Sequence, residues 1–243
     1  MNKTIIVKGE PFSFEEENLS HAQLSPISEA DGRELLLTVK RLFDPIGLNF
    51  YLAFGTLLGA VRDHGIIKGD EDIDVHTDNE KLLYDSLPYL YENGLKVIRI
   101  IPGDTYSFRL NNRSFIDVYI LRPLRFSIWS IYCYRVAFHN IPKRFFKEYQ
   151  NIDFLGVACK CPKNPENLLG YMYGDSWRTP IRGHRFYYET KSAYYYHRMV
   201  RYYIPVYLKE LIGWPYWRHL VVKGFKDKLD SIKQWESFKK SLK

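Results

Sequence analysis

The sequence predicts an α+β fold built around a mixed sheet. The chain has 243 residues, of which 46% are hydrophobic, and this is enough apolar material for one large globular domain. Over the first half, the patterns follow the order helix, strand, helix, strand, helix and then several strands. Such an order is typical of helices packed on a mixed sheet.

The first elements are a capped helix, a strand and a short second helix. Ser28 is a suitable N-cap because acidic residues occupy the following turn, and apolar residues then recur at helical spacing. Pro45 and Gly47 end this helix. Residues 49–54 have the apolar composition of a buried strand, and residues 56–62 form the short helix.

The next segments complete the predicted sheet. Residues 73–76 are expected to form a strand, and the sequence TDNE at 77–80 matches a capping box that begins a helix through Tyr91. Residues 95–101 form another strand. Asn111 and Asn112 then predict a tight turn between two strands, because asparagine tolerates positive φ.

The second half differs in composition. Residues 151–162 predict strands around Gly156, and Pro165 suits the first turn of a helix that runs to about Tyr173. Residues 190–243 predict mainly helices rich in aromatic and basic side chains. We therefore divide the chain into a lead-in (1–25), a catalytic core (26–122) and a substrate-side, helical C-terminal part of the same domain (123–243).

Charge and cysteine content limit the function classes. The net charge of +7 favours anionic partners, although a merely solvated basic surface is the alternative. Three cysteines cannot form a disulfide framework, and Cys159 and Cys161 have the spacing of alternating strand residues. The N-terminus lacks an apolar signal core and no apolar run reaches about 18 residues. We therefore expect a cytoplasmic protein.

The most informative stretch is GTLLGAVRDHGIIKGDEDID, residues 55–74. Asp70, Asp72 and Asp74 are two residues apart, so on an extended strand they project from one face. Ionised carboxylates that lie this close need a compensating cation, and hard oxygen ligands suit Mg²⁺ or Mn²⁺. The alternative is a solvated acidic loop.

Asp117 is the expected third carboxylate. It stands among strand-forming apolar residues in SFIDVYI, where a buried charge needs a partner. A metal ion shared with Asp72 and Asp74 would supply that partner. The alternative is a charge on the exposed face of an edge strand.

Several residues near these acids are candidates for binding the phosphates of a donor. Gly55 and Thr56 form a turn whose backbone can approach a phosphate closely at the start of a helix. Arg62 and Lys68 supply positive charge between this turn and the acids. Asp70 either assists the metal site or orients Lys68.

A Gly-[Ser/Thr] turn, an Asp-x-Asp strand and a third Asp on a later strand resemble the pattern of the nucleotidyltransferase superfamily. More narrowly, GTLLGAVRDHGIIKGDEDIDV resembles the LicD family, to which fukutin and fukutin-related protein are related. PKNPENLLGYMYGDSWRTP, residues 162–180, resembles a later element of that family. Lys68-Gly69 departs from the family's usual Pro-Trp, and Glu71 from its usual Asp.

The resemblance implies a nucleotidyltransferase-type core and a transferase. It would move a phospho-alcohol, such as phosphocholine or ribitol phosphate, from a CDP-activated donor to a glycan or glycolipid acceptor at the cell surface, as in capsule or lipopolysaccharide synthesis. It also implies that Asp72, Asp74 and Asp117 hold Mg²⁺ (or Mn²⁺) as catalytic residues. Tyr173, Trp177 and Arg178 would bind substrate, with ordinary packing as the alternative for the aromatic pair.

Two other functions stay open at this point. The same carboxylates suit a nucleotidyltransferase that transfers NMP to a small molecule or protein. A non-catalytic module that binds RNA or membrane is the other, although clustered acids would repel nucleic-acid phosphates and disfavour nucleic acid as a partner. The basic, aromatic C-terminal region predicts a peripheral contact with the inner face of the membrane, with a helix packed on the core as the alternative.

Overall fold

A computed structural model describes residues 2–17, 25–112, 114–123, 133–137, 139–174 and 176–180. The predicted C-terminal helices of residues 190–243, and the membrane contact expected there, lie outside these residues. The chain divides into two compact units. The first comprises Met1–Arg122, Arg135–Ala137 and Lys143–Pro165, and the second comprises Pro123–Tyr134, Phe138–Pro142 and Glu166–Lys243. The predicted boundaries at residues 25 and 122 stay a prediction.

In the described part of the chain, helices and strands alternate through the first half, and the elements after β7 are mainly strands. In chain order the elements are β1 (Asn2–Val7), β2 (Glu10–Glu15), α1 (Glu29–Phe43), β3 (Tyr51–Leu52), α2 (Phe54–Arg62), β4 (Ile73–Thr77), α3 (Glu80–Asp85), α4 (Leu87–Glu92), β5 (Lys96–Ile101), β6 (Thr105–Asn111), β7 (Ser114–Ile120), β8 (Arg122–Pro123), β9 (Cys133–Val136), β10 (His139–Pro142), β11 (Tyr149–Phe154), β12 (Val157–Pro162) and α5 (Pro165–Tyr173). Short 3₁₀ turns occur at Asp44–Ile46 and Lys143–Phe146.

The centre of the first unit is a five-stranded sheet with the strand order β3-β4-β7-β6-β5. Only β4 and β7 pair in parallel, and the other neighbours are antiparallel. The sheet is therefore mixed, and the predicted α+β class is confirmed. Among the described residues, no helix has the length and apolarity needed to cross a membrane.

The two faces of this sheet differ in chemistry because side chains alternate along each strand. One face is apolar and includes the fully buried Ile73, Val75, Ile116 and Val118. Helix α1 lies near this face, because a Cβ on its Gly32 would approach the Ile73 side chain at 3.6 Å. The opposite face carries the charged and polar residues of the candidate site.

Several sequence predictions are confirmed element by element. Ser28 caps α1, since its hydroxyl accepts a hydrogen bond from the Asp31 amide at 3.1 Å. The β6–β7 and β11–β12 hairpins form where predicted, and α5 begins at Pro165. Cys159 and Cys161 alternate on β12 with their side chains buried, and burial raises the pKa of each to about 11.

Three local predictions were wrong. Residues 2–15 form a hairpin of β1 and β2, whereas only a lead-in was expected there. The predicted strand 49–54 shrinks to Tyr51–Leu52, because the chain turns sharply at Phe54, where φ is +40°, and enters α2 there. Gly55 consequently lies inside α2 and does not precede it.

The predicted capping box at 77–80 was also wrong. Asn79 caps α3 instead, accepting a hydrogen bond from the Leu82 amide at 3.0 Å. The Glu80 carboxylate cannot reach back to the helix start because it accepts hydrogen bonds from the Gly103 amide and the Tyr106 hydroxyl. The single helix expected through Tyr91 is divided into α3 and α4 at Ser86.

We predict that Gly59→Ala destabilises the protein, although alanine is normally favoured over glycine in a helix. A Cβ at Gly59 in α2 would lie 2.5 Å from the Gly65 carbonyl oxygen, a backbone atom that cannot swing aside. We expect the free energy of unfolding to fall by about 1–3 kcal/mol, measured by urea denaturation. Gly32→Ala is the comparison, because its Cβ would meet a movable Ile66 side-chain atom at 2.8 Å and should cost less. An unchanged or higher stability of Gly59→Ala would contradict the packing described.

Candidate active site

A row of polar residues crosses the sheet on its polar face. In the strand pairing, Arg99 of β5 lies opposite Ser107 of β6, Ser107 lies opposite Asp117 of β7, and Asp117 lies opposite Asp74 of β4. Directly paired residues project from the same face of a sheet. The fold thus brings Asp74 and Asp117 together although 42 residues separate them in the chain (117 minus 74, less one).

Asp72 completes an acidic cluster with Asp74 and Asp117, which we call the carboxylate cluster. One oxygen from each residue lies within 4.8 Å of the other two. The expectation that Asp70, Asp72 and Asp74 share one strand is only partly met, because β4 begins at Ile73 and the first two acids lie in the connection before it.

Crowding and burial disfavour the ionised forms of these acids. Burial is the largest cause that raises the pKa of Asp72 well above its usual range, and Asp74, Asp117, Asp70 and Glu71 raise it further. Burial likewise raises the pKa of Asp74, reinforced by Asp117 and Asp70. Hydrogen bonds from the Gly55 amide and the Tyr119 hydroxyl act in the opposite direction.

The start of α2 holds Asp74 in place. The Gly55 amide donates to Asp74 Oδ2 at 3.2 Å, and the Asp74 amide donates to Thr56 Oγ1 at 2.8 Å. The Ala53 amide also donates to the Asp74 carbonyl oxygen at 3.0 Å. A Cβ on Gly55 would lie 2.9 Å from Asp70 Oδ2, so a side chain here would press on the acids.

Asp117 is held by three side chains, and the sequence analysis selected none of them. Arg99 Nη2 donates to Asp117 Oδ2 at 2.8 Å, and the Ser107 hydroxyl donates to Oδ1 at 2.5 Å. The Tyr119 hydroxyl donates to Oδ2 at 3.4 Å. Arg99 Nε also donates to Ser107 Oγ at 2.9 Å, which links the whole row. Only the strand register reveals these partners.

The predicted phosphate-binding residues occupy different surroundings. Gly55 and Thr56 contact Asp74, as described, and the Asp70 carboxylate lies beside Gly55. Arg62 is bound to its neighbour Asp63 through two hydrogen bonds of 2.8 and 2.7 Å, and Lys68 is exposed in the turn before the acids. Their contact with a donor stays a prediction.

The predicted substrate-binding residues belong to the second unit. Tyr173 and Trp177 are buried, with 5% and 6% of their surface exposed. The Arg178 guanidinium lies 4.3 Å from the Trp177 ring centroid and pairs with Glu166 at 2.8 Å. Packing explains these contacts, and a role in substrate binding stays a prediction.

The carboxylate cluster has the donor set for a hard divalent cation. Its ligand atoms are all carboxylate oxygens, which Mg²⁺ and Mn²⁺ prefer, and nitrogen or sulfur ligands of the zinc type do not occur in the cluster. A bound cation would also relieve the repulsion that raises the pKa values of Asp72 and Asp74. The group could therefore bind a metal ion.

One comparison with known proteins matches the part of the chain that contains this site. Residues 47–164, which contain all three acids, match the sequence model described as LicD/FKTN/FKRP, nucleotidyltransferase domain. No curated protein matches the chain.

Two solved structures are also similar. The lincomycin-bound lincosamide antibiotic adenylyltransferase LnuA is 13% identical, with a TM-score of 0.40, and the match covers 59% of this chain and 85% of that one. The antibiotic-resistance factor ANT(2'')-Ia is 12% identical, with a TM-score of 0.41, covering 87% of this chain and all of that one. On sequence, residues 47–164 of this chain are thus similar to the LicD/FKTN/FKRP nucleotidyltransferase domain.

Proposed function

We propose that the protein is a Mg²⁺-dependent transferase that moves a phospho-alcohol, such as phosphocholine or ribitol phosphate, from a CDP-activated donor to a cell-surface glycan. The observation that carries this proposal is the carboxylate cluster of Asp72, Asp74 and Asp117 within a LicD-type domain. Action at the cytoplasmic side, with the glycan or glycolipid acceptor close to the membrane, is part of the same proposal.

In the proposed reaction, a hydroxyl oxygen of the acceptor bonds to the phosphorus that carries the alcohol. The bond from this phosphorus to the bridging oxygen breaks, CMP leaves, and the hydroxyl proton is released. A divalent cation bound by the three acids would neutralise charge on the phosphate oxygens.

The residues of the chain supply fixed positions for this chemistry. The Gly55 amide and the Thr56 hydroxyl fix Asp74 at the start of α2. Arg99 and Ser107 fix Asp117, so its carboxylate needs no rearrangement before it binds a cation. Groups that are fixed before the reaction lower its barrier because no ordering cost remains at that moment.

Transfer of NMP from a nucleoside triphosphate is the competing function, since the family description itself names a nucleotidyltransferase domain. The leaving group separates the two functions. Purified protein with Mg²⁺ and a glycan acceptor should release CMP from CDP-choline, CDP-ribitol or CDP-glycerol. Release of pyrophosphate from CTP or ATP, with no use of any CDP-alcohol, would refute the phospho-alcohol proposal in favour of NMP transfer.

Asp72→Asn should stabilise the metal-free protein and abolish its response to Mg²⁺. Removing one of three crowded charges relieves repulsion, and about 1 kcal/mol of relief would raise Tm in EDTA by about 2–4 °C. Wild-type protein should gain stability when Mg²⁺ is added, whereas the variant should not. Glu34→Gln, at an exposed position of α1, is the control for a lost negative charge. Equal Mg²⁺ responses in Asp72→Asn and wild type would exclude Asp72 as a ligand.

Arg99→Ala should strengthen metal binding and slow turnover. Losing the Arg99 charge removes the electrostatic repulsion between its guanidinium and a bound cation, which is about 1 kcal/mol per pair of unit charges at about 4 Å in water. We expect this gain to exceed the entropic cost of ordering the Asp117 carboxylate once Arg99 no longer holds it. We therefore expect several-fold tighter Mn²⁺ binding, measured by electron paramagnetic resonance, together with a loss of turnover of about tenfold or more.

Arg109→Ala is the matched control for Arg99→Ala. Arg109 is also a partly buried arginine of the same sheet, and it pairs at 2.7 Å with Glu17 instead of an acid of the cluster. Its loss should change neither Mn²⁺ affinity nor turnover beyond what a change in stability explains. Weaker Mn²⁺ binding by Arg99→Ala than by Arg109→Ala would show that the charge balance drawn here is wrong.

A further inference from the structure

A hollow of about 350 Å³ lies beside the edge strand β3. We call it the aromatic hollow, and it is lined by Tyr51, Tyr149, Gln150, Asn151 and Lys160. All five belong to the first unit, and none was selected in the sequence analysis. Its volume lies within the range of small-molecule sites, about 300–1,000 Å³.

Stacked rings form one wall of the aromatic hollow. The ring centroids of Tyr51 and Tyr149 are 3.8 Å apart with an interplanar angle of 21°. The His76 ring packs 5.2 Å from Tyr51, and Phe146 packs edge-on against His76 at 5.3 Å. Because His76 is itself buried, this backing leaves the tyrosines little freedom. A rigid ring surface of this kind binds the C–H face of a sugar at a low ordering cost.

Polar groups form the other wall. Asn151 lies opposite Lys160 in the β11–β12 pair, and Tyr149 is two residues before Asn151, so these three side chains share one face of the hairpin. Lys160 Nζ is held by Asn49 Oδ1 at 3.2 Å. The Asn151 amide both donates and accepts hydrogen bonds, as sugar hydroxyls require, whereas the Lys160 ammonium group selects an anion.

The aromatic hollow shares a sheet face with the carboxylate cluster. Tyr51 lies opposite His76 in the β3–β4 pair, and His76 is two residues beyond Asp74 on β4. Side chains two residues apart on a strand point to the same face, about 7 Å apart along the strand. A ligand in the hollow would therefore lie in the row of the sheet next to the acids.

We propose that the aromatic hollow binds one saccharide unit of the acceptor, with its ring against Tyr149 and an acidic substituent paired with Lys160. The binding of a saccharide stands on the residues of the hollow alone, whereas its identity as the acceptor rests on the proposed function. The neutral amide of Asn151 suits the hydroxyls, and a single lysine suits one phosphate or carboxylate.

The test is ligand-observed NMR on the full chain in EDTA, with glucose, glucose 6-phosphate and CMP as probes. We expect glucose 6-phosphate to bind about tenfold more tightly than glucose, because a charge-assisted hydrogen bond is added. No detectable binding of either sugar would overturn the proposal. Binding of CMP that is lost in Tyr149→Ala would overturn it as well, since the hollow would then hold the donor base.

Variants locate the binding within the hollow. Tyr149→Ala should abolish binding of both sugars, while Tyr149→Phe, which keeps the ring, should preserve it. Lys160→Met should weaken glucose 6-phosphate about tenfold and leave glucose unchanged. Lys163→Met is the charge control, because Lys163 is an exposed lysine just beyond β12 that pairs with Glu148. An equal effect of Lys163→Met and Lys160→Met would overturn the assignment of the acidic substituent.

The proposal and the proposed function fail separately. Asp72→Asn should lose transfer activity and still bind glucose 6-phosphate, because the hollow needs no metal. If sugar binding is observed and is lost in Tyr149→Ala, but no CDP-alcohol is consumed, the saccharide site is supported and the proposed function is refuted. If transfer occurs and Tyr149→Ala and Lys160→Met leave the acceptor KM unchanged, the hollow is not the acceptor site.

Discussion

Electrostatic repulsion among Asp72, Asp74 and Asp117 is the constraint around which the polar face of the sheet is arranged. The three carboxylates would carry three negative charges, and the Arg99 guanidinium neutralises one of them through its ion pair with Asp117. Two negative charges remain, which is the charge that a single divalent cation balances. Asp70 and Glu71 add further negative charge beside Asp72. The other donors to the three acids are neutral groups that orient them without adding charge.

These donors are distributed unequally among the three acids. Asp117 has the Arg99 guanidinium and the Ser107 hydroxyl, Asp74 has the Gly55 amide, and the Tyr119 hydroxyl is shared between the two acids. For Asp72, every charged neighbour that acts on its pKa is another acid, so all of them raise it. Asp72 therefore gains most from a cation, while the other two acids are already held in place by the protein.

The sequence was sufficient to identify the acids but not their surroundings. Asp72 and Asp74 are recognisable because an apolar strand is a poor place for solvated charge, and Asp117 stands out for the same reason. That Asp74 lies opposite Asp117 depends on the parallel pairing of β4 with β7, which have two helices and two strands between them in the chain. Arg99 and Ser107 resemble ordinary strand residues until the register sets them beside Asp117.

The errors in local structure have a similar origin. The motif at 77–80 matched a capping box by spacing, but the Glu80 carboxylate bonds to the loop at Gly103, which a local pattern cannot show. The strand predicted to reach Phe54 was too long, because apolar composition does not show that the backbone of this residue has a positive φ. This turn has a consequence for the site, since it starts α2 early enough for the Gly55 amide to reach Asp74.

Strand β4 links the carboxylate cluster to the aromatic hollow. Asp74 belongs to the first and His76 backs the second, while Ile73 and Val75 between and beside them are fully buried on the opposite face. Close packing on that face resists a shift of the strand along its axis. Because β4 carries both Asp74 and His76, the spacing between these two side chains is set by strand geometry. A transferase that must bring two substrates to one phosphorus atom benefits from this arrangement, because the side chains that position the substrates are already ordered in the folded protein.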